Sequence, residues 1–425
     1  MSSYLEKFKN RSDFTRNIVK LISGTALAQI ISILISPILT RIYSPEEFGA
    51  FTILVSIYGM LALVTGGRYE VAILLPKRKG EASNLMVLSL FFNLIFSIFV
   101  FVVLFVLDYF WIDNKLGIWY YLIPVFVFLV GFVQILNTWF NRRKMYNEIA
   151  VNKISSSLFT NGFSLFFGFL KMNFNGLMGG ALVASLVNFL VVLYQIKKDF
   201  QYVVRTSSLN QLKKLATEYK RFPLVNSFQS VLDATQINGL IYIISGLFGQ
   251  LIVGVFSLSL RILLAPMNFI GGAISQVFYQ EASDRYNQDK PLMPLVNRTL
   301  KQTGLLISVV LLVLLFFGPQ LFAFVFGERW REAGVYAQIL SPWVCLDFVR
   351  APLSQIPLIF KQQNQMLIFT VFSNLIILFI AILIGFYFEN MKTMLLVLTF
   401  CQVVYLLLLI LWFYKSTIKY DKTLR

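Results

Sequence analysis

Twelve times along this 425-residue chain a run of roughly 20 predominantly apolar residues recurs, each long enough to cross the hydrocarbon of a bilayer as a helix. The runs fall near 18–40, 48–74, 84–107, 119–140, 149–170, 177–196, 222–246, 250–279, 301–322, 335–360, 366–388 and 393–414. They leave no room for a sizeable water-soluble domain. A soluble globule cannot hide this much apolar surface; this chain is 57% hydrophobic and 13% charged, with a mean hydropathy of +0.73. The bilayer is therefore its solvent. The first run is too long for a signal-peptide core, and polar residues follow it, not a small-residue cleavage site, so it reads as a retained first span. The two cysteines, Cys345 and Cys401, both fall inside expected spans and imply neither a disulfide nor a metal cluster.

The net charge of +17 raises the possibility of nucleic acid, and its placement argues against it. Of the 37 lysines and arginines, 28 fall in loops on one side of the expected membrane. That side carries the N-terminal Lys7, Lys9, Arg11, Arg16 and Lys20, the 68–79 region with Arg68 and Lys77–Lys79, Arg142–Lys144, the middle segment from Lys197 to Arg221, the group Arg285, Lys290, Arg298 and Lys301, then Lys361, and the C-terminal tail. Six lie on the other side (Arg41, Lys115, Lys171, Arg329, Arg331 and Lys392), and Lys153, Arg261 and Arg350 lie within spans. By the positive-inside rule both termini and the middle segment face the cytoplasm. The basic charge is a topology signal, with no nucleic-acid partner implied.

The longest and most polar loop, near 197–221, divides the chain into an N-terminal six-helix bundle (1–200), a cytoplasmic linker (201–221) and a C-terminal six-helix bundle (222–425). A weak internal echo supports the division: Gly49-Ala-Phe51-Thr-Ile53 opens the second span and Gly254-Val-Phe256-Ser-Leu258 the eighth. Pro124 with Arg143 and Pro342 with Lys361 repeat a spacing of 19 residues. Two parallel repeats with a site between them are a common plan for transporters. The expected fold class is an all-α integral membrane protein of about 12 transmembrane helices in two six-helix bundles with a central cavity.

Several chemistries are missing. The chain has no histidine, which removes His-based acid/base catalysis and HExxH zinc sites. No GxxxxGK[ST] run is present for binding ATP through a phosphate loop. Carboxylates in the outer loops are sparse, and Glu46 and Glu47 follow Ser44-Pro45 as a helix cap and first turn would. A transporter is expected, not an enzyme, and no cofactor is called for.

Charges at mid-bilayer cost about 2.5–3.5 kcal/mol each on insertion scales, so they face a cavity or a partner. The seventh span carries Asn226, Gln229, Asp233 and Gln236 on one helical face, and the first span carries Thr25, Gln29, Ser32 and Ser36. Either these stripes line a wet interior or they serve hydrogen bonding between packed helices. The eighth span places Arg261 deep in the bilayer, with Asn268 and Ser275 along the same face. The tenth holds Asp347 and Arg350, whose i,i+3 spacing would let them neutralise each other. Nearer the cytoplasm lie Arg68 and Glu70 in the second span and Lys153 in the fifth, where snorkelling to the interface is the alternative. Pro266 could kink the eighth span, and Gly176-xxx-Gly180-xxx-Ala184 reads as close helix packing.

Motifs along most of the chain then resemble a known family. Arg41-Ile-Tyr-Ser-Pro45-Glu-Glu-Phe48-Gly49 and Arg68-Tyr-Glu70-Val-Ala-Ile-Leu-Leu-Pro76 resemble the opening of the polysaccharide-transporter family. These are flippases of O-antigen, capsule and related glycans within the multidrug/oligosaccharidyl-lipid/polysaccharide exporter (MOP) superfamily. Trp139-Phe-Asn-Arg-Arg-Lys144-Met-Tyr146, Phe222-Pro223-Leu224, Arg261 with Pro266, and Phe326-Gly327-Glu-Arg-Trp330-Arg-Glu-Ala333-Gly334 continue the likeness in order and spacing. The resemblance implies an alternating-access carrier in the bacterial cytoplasmic membrane for undecaprenyl-diphosphate-linked oligosaccharide, with H+ or Na+ as a coupling ion and other polysaccharide-assembly membrane proteins as partners. It makes Arg68, Lys153, Arg261 and Arg350 the cationic candidates for the anionic head. Asp233, Asp347, Glu70, Gln29, Gln229 and Gln236 are the candidates for lining and coupling. A multidrug exporter of the same superfamily is the alternative, followed by a membrane polymerase or glycosyltransferase.

The charge asymmetry makes a direct prediction. Reporter fusions after Arg205 and at the C-terminus should read as cytoplasmic, and a fusion near Arg331 as external. A middle segment on the outer side would overturn the two-half topology.

Overall fold

The computed structural model describes residues 23–110 and 117–424, without the side chain of Lys198. The N-terminal basic cluster Lys7–Lys20, residues 18–22 of the first expected span, Asp113, Lys115 and Arg425 lie outside the described residues. Among the described residues the chain is helical throughout, without strands. The helices are α1 (Ser23–Ile42), α2 (Pro45–Ala62), α3 (Tyr69–Ala72), α4 (Lys79–Phe110), α5 (Ile118–Arg142), α6 (Tyr146–Phe169), α7 (Asn173–Thr206) and α8 (Leu209–Glu218). They continue with α9 (Ser227–Asn287), α10 (Met293–Phe326), α11 (Arg331–Leu353), α12 (Ile356–Ile359), α13 (Gln363–Phe388) and α14 (Met391–Thr423).

Among the described residues, eight helical segments are long and apolar enough to cross a membrane by length and composition. One of them, Phe222–Asn287, contains both the seventh and the eighth expected spans, which meet at Gly249. Gly249 has φ 81° and ψ 179°, the non-helical point inside α9, while helical dihedrals run on past Pro266. Gly249 falls at the boundary expected between the spans 222–246 and 250–279, and Pro266 does not interrupt the helix. The three remaining expected spans are α2, α6 and α11, of 18, 24 and 23 residues. Each carries polar groups that lower its hydropathy: Glu46 and Glu47 in α2, Asn152 and Lys153 in α6, Asp347 and Arg350 in α11.

Two departures from the sequence reading concern local structure. The second span does not run unbroken from 48 to 74: α2 ends at Ala62, and Gly67 (φ 61°) and Arg68 (φ 56°) take left-handed backbone before the short α3. The middle segment read as a polar loop is largely helical. α7 continues to Thr206, and α8 lays Leu212, Leu215 and Ala216 against a buried cluster that includes Tyr69, Leu85, Trp139 and Phe140. Asn84 fastens it, donating to the Thr206 carbonyl (2.9 Å) and Gln211 Oε1 (2.9 Å) while accepting from Ser208 N–H (3.1 Å).

The chain forms two compact units. The first takes in the described residues of Met1–Tyr43 and Ile53–Ala234; the second takes in Ser44–Thr52 and Thr235–Arg425. In the first, α6 and α7 pack backbone to backbone. A Cβ on Gly180 would lie 2.6 Å from Ser164 N, and Tyr43 Oη donates to the Ser164 carbonyl at 2.7 Å. The small-residue run Gly176–Ala184 is thus a packing device. At the basic end of the same unit, Asp199 is buried. Its carboxylate accepts from Trp139 Nε1 (3.0 Å) and from Arg143 Nε and Nη2 (both 3.0 Å), with Lys79 Nζ at 3.9 Å. One carboxylate therefore ties the ends of α4, α5 and α7 together.

In the second unit, the opening turns of α2 pack on α9. Ser44 and Glu47 form a capping box, Ser44 N–H donating to Glu47 Oε2 (2.7 Å) and Glu47 N–H to Ser44 Oγ (3.3 Å). Gly49 and Gly254, the equivalent glycines of the sequence echo, allow this contact: a Cβ on Gly49 would overlap the Gln250 carbonyl, and one on Gly254 the Pro45 carbonyl. Phe48 meets Trp330 edge to face at 5.2 Å, and Thr52 Oγ1 donates to Ser257 Oγ at 3.0 Å. Cys345 and Cys401 are free.

Replacing Asp199 by alanine should leave the Arg143 and Lys79 heads and the Trp139 indole N–H without their shared acceptor. A loss of about 2–3 kcal/mol is expected, below the full cost of breaking a buried pair because the two cations are about a third exposed. Thermal unfolding of the detergent-purified protein checks this; an unchanged midpoint would show that the knot carries no stability.

Candidate functional site

The second unit holds two adjoining, half-open cavities of about 400 and 290 Å³, which together form a chamber of mixed polar and apolar lining. They share Leu264 and Asn268 of α9 with Val344 and Asp347 of α11. The larger runs along α9 and α11 past Gly271, Ser275 and Ser354. Gly271 keeps that path narrow, since a Cβ there would stand 3.3 Å from the Phe348 ring. The smaller reaches between α9, α11, α13 and α14 and is lined by Gln236, Arg350, Thr370, Asn374, Gln402 and Tyr405.

Asp347 stands where the two cavities meet. Arg350, one turn along α11, donates from Nε to Asp347 Oδ1 at 2.7 Å, so the pair expected from i,i+3 spacing is formed. Their side chains are 19% (Arg350) and 39% (Asp347) accessible, which places the pair in the chamber wall with room for water or ligand against the carboxylate. The chamber is therefore dipolar with little net charge. Deeper in its wall, Gln402 is 2% exposed, and its Nε2 has no hydrogen-bond partner among the described residues. A buried amide donor left unpaired costs about 1–3 kcal/mol.

The other candidates divide by what answers their charge. In the first unit, Glu70 is buried and Arg68 Nη1 lies 3.6 Å from its Oε1. The left-handed backbone at Arg68 turns the guanidinium back toward α2, where Nη1 also meets the Leu63 carbonyl at 3.4 Å. Gly66 leaves the space for the carboxylate: a Cβ there would lie 2.5 Å from Glu70 Oε2. Lys153 is exposed and donates to the Thr25 hydroxyl at 2.8 Å, a neutral partner that cancels no charge.

The stripe on α1 is mostly consumed in packing. Ser32 Oγ bonds Ser157 Oγ (2.9 Å) and accepts from Asn161 Nδ2 (3.1 Å), and Ser36 donates back to the Ser32 carbonyl. Gln29 remains half-exposed with no side-chain partner among the described residues. On α9 the stripe stays open: Gln229 and Asp233 are exposed and have no side-chain partner among the described residues, while Gln236 faces the chamber. Arg261 is the remaining cation. Leu260 and Leu263 beside it are buried, yet its own side chain is exposed, with no ion pair or hydrogen bond among the described residues. It does not line the chamber that Asn268 and Ser275 line.

Sequence reasoning singled out Gln236, Asn268, Ser275, Asp347 and Arg350 and overlooked Thr370, Asn374, Gln402 and Tyr405. A signal existed for two of them. Asn374 and Gln402 are lone amides inside otherwise apolar runs of α13 and α14, where a polar side chain needs an internal partner.

Gln402→Leu should raise the unfolding midpoint, by the equivalent of about 1 kcal/mol, because it removes a buried donor without breaking a bond. Transport that falls in this more stable variant would mark the amide as a working group. A lower midpoint would show that Gln402 holds the fold.

A family model described as polysaccharide biosynthesis protein matches residues 38–335. Comparison with curated proteins finds no match. Among solved structures, the chain is similar to the inward-facing conformation of a multidrug resistance MATE family transporter of the MOP superfamily, at 18% identity and TM-score 0.69, covering 93% of this chain and 96% of that one. The outward-facing conformation of a MATE family transporter of the superfamily gives 15% and 0.61, covering 96% of each chain. A MOP superfamily transporter from Pyrococcus furiosus, described as having a binding pocket of reversed polarity, gives 17% and 0.60, covering 95% of this chain and 96% of that one. The fold class read from the sequence is thereby established. The chain is a multi-pass integral membrane protein of the polysaccharide biosynthesis protein family, with the MATE-like fold of the MOP superfamily.

Proposed function

We propose that this protein is an alternating-access flippase, carrying undecaprenyl-diphosphate-linked oligosaccharide across the bacterial cytoplasmic membrane for surface polysaccharide such as O-antigen, capsule or exopolysaccharide. The single observation that supports this best is Arg261: an accessible guanidinium in the middle of a membrane helix with no protein partner among the described residues. A cation there is tolerable only against water or an anion, and a guanidinium suits bidentate pairing with phosphate oxygens. A diphosphate in turn cannot enter low dielectric without such a partner.

The four cationic candidates carry different weights. Arg68 and Arg350 are each faced by a carboxylate, Glu70 and Asp347, so they contribute little net positive charge. Lys153 in the first unit and Arg261 in the second retain theirs, and Arg261 is the principal ligand in this reading. Asp233, exposed and unpaired on α9, is the candidate coupling carboxylate, with H+ or Na+ as the driving ion. The absence of a phosphate-loop motif favours gradient-driven transport over direct ATP use. The multidrug exporter reading draws on the descriptions of the structural neighbours, which at 15–18% identity speak for the fold alone.

Loss of the protein should stop surface glycan while its lipid-linked unit accumulates on the cytoplasmic face. Accumulation on the outer face would mark a polymerase or transferase, and normal glycan with reduced dye efflux an exporter. Arg261→Ala at normal membrane abundance should abolish transport, with Arg261→Lys recovering part of it. Asp233→Asn should keep substrate binding and lose gradient-driven flipping. Full activity in Arg261→Ala would remove the basis of this assignment.

A further inference from the structure

α9 and α10 are consecutive helices that part soon after the turn joining them. At the turn they are sealed by Phe278 and Ala282 of α9 against Leu292, Leu295 and Val296 of α10. Asp421 of α14 caps α10, its carboxylate accepting from the N–H groups of Leu292 (2.8 Å) and Met293 (2.9 Å). Farther along, α10 packs on α11, where a Cβ on Gly318 would stand 3.0 Å from the Gly334 carbonyl. With its start held by α14 and its length by α11, α10 leaves its α9-facing side open. A groove of about 400 Å³ results, with Ile274 and Val277 of α9 on one wall and Thr303 and Leu306 of α10 on the other. Val277 is 67% and Leu306 51% exposed.

The end of this groove nearest the turn is charged. Arg298 and Gln302 line it, both exposed, and Arg298 has no ion pair or hydrogen bond among the described residues. Glu281, the groove's carboxylate, is already bound by Arg285 through Nη2 (2.9 Å) and Nε (3.2 Å). The groove thus offers one free cation at its mouth and an apolar trough beyond. Arg298 lies five residues into α10, about 8 Å of helix rise. That is close to the thickness of the headgroup layer, so the cation stands near the level of a lipid phosphate. The charge asymmetry assigns this end to the cytoplasmic leaflet.

We infer that the α9–α10 groove is a lateral docking site for the polyprenyl phosphate portion of a lipid carrier, separate from the chamber. The phosphate sits on Arg298, and the isoprenoid chain lies along Ile274, Val277 and Leu306. One cation and one trough match one phosphate and one chain, whereas a diacyl phospholipid brings a second chain that has no wall to lie against. The identity of the lipid rests on the flippase reading; the site itself rests on the groove. Docking here would keep the tail beside the protein while the head moves inward.

The test uses undecaprenyl monophosphate, which lacks the glycan, bound to the purified full-length protein and measured by native mass spectrometry with dioleoylphosphatidylglycerol as competitor. Arg298→Gln should weaken binding about tenfold or more, the usual effect of losing a hydrogen bond to a charged group. Val277→Trp, which fills the trough but keeps Arg298, should weaken it comparably at an unchanged unfolding midpoint. Lys301→Gln, an exposed cation outside the groove, should not. Binding indifferent to both groove substitutions would overturn the site, as would equal loss in Lys301→Gln or equal displacement by phosphatidylglycerol. The cellular accumulation assay separates the two readings. If binding follows the groove but no lipid-linked glycan accumulates, the flippase reading falls and the site stands. If glycan accumulates and binding ignores the groove, the site alone falls.

Discussion

A charge carried into hydrocarbon must be met by water, by an opposite charge or by a polar group, and the intramembrane architecture of this protein is arranged around that demand. Glu70 is met by Arg68, Asp347 by Arg350, and Lys153 by the Thr25 hydroxyl. Just past the apolar runs, Asp199 answers Arg143, Lys79 and Trp139 together. Against this background Arg261 and Asp233 stand out because nothing among the described residues answers them. Isolated, accessible charges on a membrane helix are hard to keep unless a cavity wets them or a substrate arrives with the complementary sign. Functional meaning therefore concentrates where pairing is incomplete.

The same demand explains how the helices approach one another. Lipid tails are as apolar as leucine, so membrane helices gain little from simple burial and associate through close packing and internal polar contacts. Gly180 against Ser164, Gly49 against Gln250 and Gly254 against Pro45 bring backbones to distances that any Cβ would forbid. Serines and asparagines then bridge neighbours, as in Ser32 with Ser157 and Asn161. Where such devices are lacking, helices separate, and the α9–α10 groove is the result.

The fold class was legible because it follows from local and cumulative properties: run length, hydropathy and the distribution of basic residues. The capping box at Ser44–Glu47, the small-residue packing of Gly176–Ala184 and the Asp347–Arg350 pair were legible for the same reason, each resting on spacing along one helix. The break of the second span at Gly67 and Arg68 was not. Its apolar run from Val71 to Leu75 continues the pattern of a crossing helix, and only the packing of Tyr69 and Glu70 shows that the chain turns there. Helical backbone runs on through Pro266 for a similar reason, since neighbouring helices absorb a proline that would break an isolated one.

By itself, then, the sequence determined the solvent, the all-helical membrane class, and the short list of groups too polar for hydrocarbon. Those depend on free energies that sum residue by residue. What only the tertiary structure decided is which of those groups are satisfied. Ser32 is consumed by α6 while Gln29 is left open, and Gln402 of α14 looks into a chamber with Gln236 of α9, 166 positions away in sequence. Whether a polar group is a strut or a working part depends on what other helices place within about 3 Å of it, and contacts between distant segments leave no periodic trace in the chain.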